Sequence, residues 1–354
     1  MDLITALLGL YFAFGVWLDI YAHNHSKPES FFTPWHAVLC TGYLAVAIWL
    51  ALRGLYTSGS VDRLGRLGIV MFGVAGVADM GWHLVRGMER GTAVPISPPH
   101  LLLLVSGWLI VTVPVRNALA RERGAVIPWP AVLGIATATV AMAFPTQQFV
   151  VFAKRWDVAA KLETGQQLVG SAPAMNWDFF AYGQVLPLVV GTTVLMVGSL
   201  IYALIAFRSR PGMVSAIFAI VVLNCSLGRG FEEPAITGCA VLAGVAIDVL
   251  LQRFARRRSP KDQVRFIGWV APVLLWLFVF VAGAITGALD GWPAEIVGGA
   301  FAMAVLSGAL LAKLVTTAAE LSIDEQPTST SDVSSVAITG PTRVGGRLPA
   351  SDDS

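Results

Sequence analysis

Phe266–Leu289 reads FIGWVAPVLLWLFVFVAGAITGAL, 24 residues without one charged side chain. At about 1.5 Å per residue such a helix covers roughly 36 Å. The hydrocarbon core of a bilayer is about 30 Å thick. A helix apolar on every side over that length belongs in lipid. Working outward, nine more stretches of the same kind appear: Leu3–Ile20, Pro34–Leu52, Leu67–Val85, Pro98–Val115, Trp129–Phe144, Ala181–Phe207, Met213–Leu227, Ile236–Leu251 and Ala294–Val315. The seventh and eighth in chain order are short, which predicts tilted or partly broken spans. The whole chain agrees. Its 354 residues are 56% hydrophobic and 13% charged, where soluble domains carry about 25% charged residues. Mean hydropathy is +0.70. A net charge of +2 excludes an electrostatic nucleic-acid binder, and three Cys exclude a disulfide scaffold. The expectation is an all-α, polytopic membrane protein with about ten transmembrane helices.

Orientation follows from Lys and Arg in the loops. With the N-terminus in the cytoplasm, 17 of the 24 basic residues fall inside, including the run Arg253, Arg256, Arg257, Arg258, Lys261 and Arg265. Seven fall outside: Lys27, Arg86, Arg90, Lys154, Arg155, Lys161 and Arg229. The acids divide 11 and 11. Ten spans place both termini in the cytoplasm and the chain in the plasma membrane. Three regions are expected: a four-helix region 1–116, a six-helix region 117–315, and a disordered cytoplasmic tail 316–354 rich in Ser, Thr, Asp and Gly. Within the second, the outer loop 147–178, with Phe149, Phe152, Trp156 and Trp177, predicts a helix lying in the interface. No cleavable signal peptide is expected, since the first segment lacks a basic start.

All five histidines, His23, His25, His36, His83 and His100, lie in the first 100 residues. This topology puts every one at the outer face. Asp19 precedes His23 by four residues and Asp79 precedes His83 by four, so each pair shares a helical face. Thr33-Pro34-Trp35-His36 is matched by Ser97-Pro98-Pro99-His100. Ser or Thr is a good N-cap and Pro suits the first helical position, so each second His falls in a first turn. The copies are offset by 60 residues for the Asp and first His and by 64 for the second His. The pattern is a duplicated helical hairpin.

Three ligands from two helices leave open positions on an ion. The positive helix N-terminus disfavours imidazolium and keeps His36 and His100 neutral. Imidazole with carboxylate suits copper, zinc or iron, whereas calcium and magnesium prefer oxygen shells. Asp79 lies deep in an apolar segment, where an ionisable group needs a partner or a function. The candidate metal and catalytic residues are Asp19, His23 and His36 for one site and Asp79, His83 and His100 for the other, or all six in a shared centre. His25 lies outside the repeat and is either a loop residue or an extra ligand. Any one of these residues alone reads as ordinary interface polarity. Glu29 and Glu89 read as solvated charge or as groups orienting imidazoles. Cys40 reads as a buried small residue. Cys225 and Cys239 flank a short loop with Glu232 and Glu233, and their spacing allows a disulfide.

Asp19-x3-His23-x12-His36 followed by Asp79-x3-His83-x16-His100 resembles the metal-ligand pattern found in the third subunit of the copper membrane monooxygenases, the particulate methane and ammonia monooxygenases and their relatives. Glu29-Ser-Phe-Phe-Thr-Pro-Trp-His36 is similar to the family's acidic, Phe-Thr-Pro-x-His stretch. Met80-Gly-Trp-His83, Met88-Glu89, Pro98-Pro-His100 and Gly107-Trp108 are similar to its second-site helices. The family usually has Asn where this chain has Asp79, and the gap before His100 is longer here. The resemblance covers Asp19 to Trp108 and implies two copper sites, oxygen activation and a small apolar substrate. It also implies other membrane subunits and an electron donor, because the sequence carries no haem, flavin or Fe–S motif. Two other readings stay open: a membrane zinc hydrolase, in which the open position activates water, and a non-enzymatic copper-binding or transport protein. Transport would want polar residues deep in helices five to ten, and these are nearly free of them.

Overall fold

The computed structural model describes residues 1–25, 33–57, 61–87, 96–153, 181–255 and 257–324. Glu29, Glu89, most of the 147–178 loop and the tail beyond 324 lie outside the described residues. The described chain is helical throughout, without a strand. The helices are α1 (Asp2–Asn24), α2 (Pro34–Tyr56), α3 (Arg63–Arg86), α4 (Pro98–Val111), α5 (Val113–Glu122), α6 (Trp129–Ala143), α7 (Leu186–Ala206), α8 (Met213–Leu227), α9 (Pro234–Leu250), α10 (Pro260–Thr286) and α11 (Ala294–Asp324). The chain divides into two units, Met1–Thr316 and Thr317–Ser354. The second carries the end of α11.

Among the described residues, eight helical segments are long and apolar enough to cross a membrane. The remaining two apolar helices, α6 and α8, have 15 residues each, roughly 22 Å of rise. The sequence marks the seventh and eighth spans as short. In the structure the short ones are the fifth and seventh. The eighth is lengthened by a π-helical turn, Leu251–Ala255, that continues α9. A lipid-facing surface is evident in what stays exposed: Leu44, Ile48 and Leu55 of α2, Val70, Val74 and Val77 of α3, and Leu306, Leu310 and Leu314 of α11. Water would penalise such a surface, and a bilayer does not.

The main core joins α6 to α10, with Trp17 of α1 and Trp276 of α10 among its largest buried side chains. The short helices sit inside it: Ala131, Val132 and Ala136 of α6 and Ile217, Phe218 and Val221 of α8 are fully buried. A length too small to reach both faces is tolerated because neighbours surround them. The interface helix expected in the 147–178 loop falls on residues outside those described, and only the start of the loop can be followed. Gln147–Phe149 and Val151–Ala153 are two 3-10 turns, with Val150 to Ala153 buried in this core. There the Val151 N–H donates to Thr192 at 2.9 Å.

The first four spans form two hairpins, and the duplication read from the histidines extends through their packing. Gly15 of α1 lies against the Leu39 backbone, and Gly42 of α2 lies against the Phe12 backbone. A Cβ at either would come within 2.7 or 2.8 Å of the opposing Cα, so glycine sets the α1–α2 separation. Sixty and 64 residues on stand Ala75 and Ser106, both 0% exposed. Phe12 meets its own counterpart, Phe72, edge to face at 4.9 Å between ring centres. Phe72 also packs on Tyr43 of α2, and Phe12 packs over Gly107 of α4. The second hairpin is broken where the first is not. Pro114 cannot donate a backbone N–H, and the chain restarts as α5 after Thr112.

Each hairpin is closed at the end away from its histidines by an Asp–Arg pair. Arg53 Nη1 donates to Asp2 Oδ1 at 2.8 Å, and Asp2 also receives Asn117 and Arg121. In the second copy Arg116 holds both oxygens of Asp62, at 2.5 and 3.0 Å. Asp2 and Asp62 are again 60 residues apart. Asp62 also caps α3, accepting the Gly65 N–H at 3.0 Å. Burial alone pushes the Asp62 carboxyl up. The Arg116 hydrogen bonds and charge, with the Gly65 N–H, outweigh it and hold the group below the ordinary carboxylate value.

Candidate metal centre

The C-terminal ends of α1 and α3 and the N-terminal ends of α2 and α4 bring the six sequence candidates into two groups: Asp19, His23 and His36, and Asp79, His83 and His100. Within each group the potential ligand atoms all lie within 4.8 Å of one another. They form two groups of three, one at the end of each hairpin.

In the first group Asp19 Oδ2 is 3.5 Å from His23 Nε2, and Asp19 Oδ1 is 3.4 Å from His36 Nδ1. In the second, Asp79 Oδ1 is 3.5 Å from His83 Nε2 and 3.6 Å from His100 Nδ1. A good N–H···O bond spans about 2.7–3.2 Å. Two ligands each about 2.1 Å from a common ion stand roughly 3.0 Å apart at a right angle and 3.4 Å apart at the tetrahedral angle. The observed separations are long for hydrogen bonds and close to those that one ion spans. The imidazole planes are crossed, at 90° in the first group and 70° in the second, so their nitrogens converge without stacking.

The second group is the drier. The Asp79 side chain is 7% exposed and His83 10%, against 16% for Asp19 and 39% for His23. Asp79 Oδ1 is fully buried and, among the described residues, has no hydrogen-bond partner. A carboxylate oxygen in that state costs on the order of several kcal/mol unless something cationic meets it. The donor set fits such a group: two imidazoles and one carboxylate, the combination borderline transition ions prefer.

Local contacts fix the rings. His83 Nδ1 lies 3.3 Å from the Gly87 carbonyl. Donation to that carbonyl leaves the Nε2 lone pair facing Asp79. Gly87 ends α3 with φ 78° and ψ 178°, a region nearly closed to residues with a Cβ. At the opposite helix starts, Thr33 Oγ1 accepts the His36 N–H at 3.3 Å and lies 3.1 Å from His36 Nδ1. Ser97 Oγ lies 2.7 Å from His100 Nδ1. The sequence marks Ser97 as an N-cap like Thr33, but its side chain makes no capping bond. Phe144 of the adjoining core stands 6.2 Å from the His100 ring, a neighbour no local pattern announces.

The remaining candidates separate from the two groups. His25 points elsewhere: its ring packs on Tyr21, Nδ1 lies 2.8 Å from the Tyr21 carbonyl, and Nε2 is 3.9 Å from Glu232. Arg229 binds the same Glu232. Cys40 is exposed rather than buried. Cys225 and Cys239 are free thiols, the first buried. No protein-family model, no curated protein and no solved structure matches the chain.

Proposed function

We propose that the protein is a membrane metalloprotein that binds copper at both triads and serves a monooxygenase-like reaction on a small apolar substrate. The observation that carries the metal reading is Asp79 Oδ1, buried, without a hydrogen-bond partner among the described residues and facing two imidazole nitrogens at ion-spanning distance. Copper is favoured over zinc by the resemblance of the two triads to the copper membrane monooxygenases. The loop charges put both sites near the outer face.

Bound copper would supply the redox chemistry. The chain's own groups do the rest. Asp19 and Asp79 each offset cationic charge. The neutral imidazoles complete three-point sites with open positions. Phe144 and the apolar helix faces around His83 and His100 limit water, and an apolar substrate arrives through lipid. Reducing equivalents come from a partner protein.

Metal analysis of the purified, copper-loaded protein tests this reading. The expected result is two copper ions per chain, falling to one with His23→Ala and to one with His83→Ala, each with loss of one component of the cupric EPR spectrum. Retained zinc with turnover in the absence of reductant would overturn the copper reading in favour of a hydrolase.

A further inference from the structure

Ser97 is 6% exposed, and its hydroxyl is not spent on capping α4. It lies against His100 Nδ1, the nitrogen that faces Asp79. Thr33 stands in the same relation to His36 Nδ1, which faces Asp19. The two positions are separated by 64 residues in the chain, and Thr33 Oγ1, unlike Ser97 Oγ, also accepts the backbone N–H of its histidine.

A nitrogen that ligates an ion must offer its lone pair. With His100 in that tautomer, the Ser97 hydroxyl donates to Nδ1, since an ionised Asp79 has no hydrogen to give. The lone pair cannot serve both the hydroxyl and an ion. Loading the site therefore strips a buried hydroxyl of its acceptor, and a buried donor left without one is unfavourable. The nearest replacement is an acceptor on the ion's open position beside Nδ1.

On the metal reading above, we infer that Ser97 and Thr33 are positioning residues that hold a small anionic ligand on the ion. In the ion-free site the hydroxyl guards the ligand nitrogen. In the loaded site it donates to whatever occupies the open position. The chemical class it selects is a compact anion with an accessible lone pair, and azide is a suitable probe.

The arrangement predicts opposite signs for two measurements. Removing the hydroxyl removes a competitor for Nδ1, so ion affinity stays level or rises. It also removes the donor to the anion, so anion affinity falls. A hydroxyl that merely braces the fold would lower both. The test uses the full chain in detergent, loaded with cupric ion, with the first triad silenced by His23→Ala. Ser97→Ala should hold copper against a competing chelator at least as well as its parent and bind azide about tenfold more weakly. The mirrored pair, with the second triad silenced by His100→Ala, covers a Ser97 variant that does not fold. There Thr33→Ser should keep azide affinity and Thr33→Val should lose it. Unchanged azide affinity in Ser97→Ala, or copper affinity falling in step with it, overturns the assignment while leaving the metal site intact. A parent that takes up no copper at the second triad overturns the metal reading and the inference together.

Discussion

The two hairpins are copies that have drifted in opposite directions at their two ends. At the histidine end the second copy is drier: the Asp79 and His83 side chains are 7% and 10% exposed, against 16% and 39% for Asp19 and His23. At the Asp–Arg end the first copy is drier: the Arg53 side chain is 3% exposed, against 21% for Arg116. The first hairpin thus holds its deepest charge where it is clamped, and the second where it would bind an ion. Buried charge lies at the Asp–Arg clamp in one copy and at the histidine triad in the other.

The largest effect should come from breaking the deeper clamp. Asp2→Ala leaves the Arg53 guanidinium in a dry site and should cost about 3 kcal/mol or more. Asp62→Ala should cost about 1 kcal/mol, because Arg116 can turn toward solvent. Denaturation in detergent compares them, and equal costs would remove the distinction. The second clamp also has a pH signature. Asp62 is held below its ordinary value, so its support is present above about pH 4 and is lost as pH falls through the lowered value. Asp62→Asn should flatten that acid limb without changing stability at neutral pH as much as Asp2→Ala does.

Next in size is the difference between the triads. Replacing a ligand at either should weaken the ion there by about 100-fold or more, since groups one shell out already cost 10–100-fold. In the intact protein the second triad should release copper last under chelator challenge, because its ligands are shielded and pre-aligned. Release in the opposite order would mean that burial of Asp79 serves packing alone.

The ion-free protein gives a smaller and sharper contrast. Asp79→Asn replaces an unpartnered buried oxygen with an amide able to donate to His83 Nε2. It should stabilise the ion-free chain by about 1–3 kcal/mol while lowering copper affinity. Asp19→Asn, at the wetter site, should change ion-free stability by less than about 0.5 kcal/mol. Thermal melts of the two variants before and after loading measure both signs.

The triads were legible because everything that makes them is local. An Asp and a His four apart on a helix share a face whatever the helix packs on, and Ser/Thr-Pro at a helix start places a His in the first turn. The apolar runs located the helices equally well, since a chain that meets lipid on one side and helices on the other stays apolar all round. What the sequence concealed depends on neighbours distant in the chain. The Asp2–Arg53 and Asp62–Arg116 clamps join residues more than 50 apart, so the duplication looked confined to one end of the hairpins. The exposure of Cys40 and the turn of His25 toward Glu232 follow from which helix packs where. The shortness of α6 becomes tolerable only once its neighbours enclose it.

Gly87 offers the smallest effect and the finest probe of how the second triad is aligned. Its φ of 78° carries the chain out of α3 so that its carbonyl returns to His83 Nδ1. No heavy atom stands within 4 Å of where a Cβ would be, so Gly87→Ala meets no clash and its cost is conformational, about 1 kcal/mol. If the carbonyl fixes the His83 tautomer, the strained turn relaxes and the imidazole loses its orienting partner. Copper affinity at the second triad should then fall about tenfold, the low end for an orienting contact, with the first triad unaffected. Among the described residues His23 has no such contact, and it is 39% exposed. Loss of stability in Gly87→Ala with copper affinity intact at both triads would show that the drier site is aligned by its packing rather than by this carbonyl.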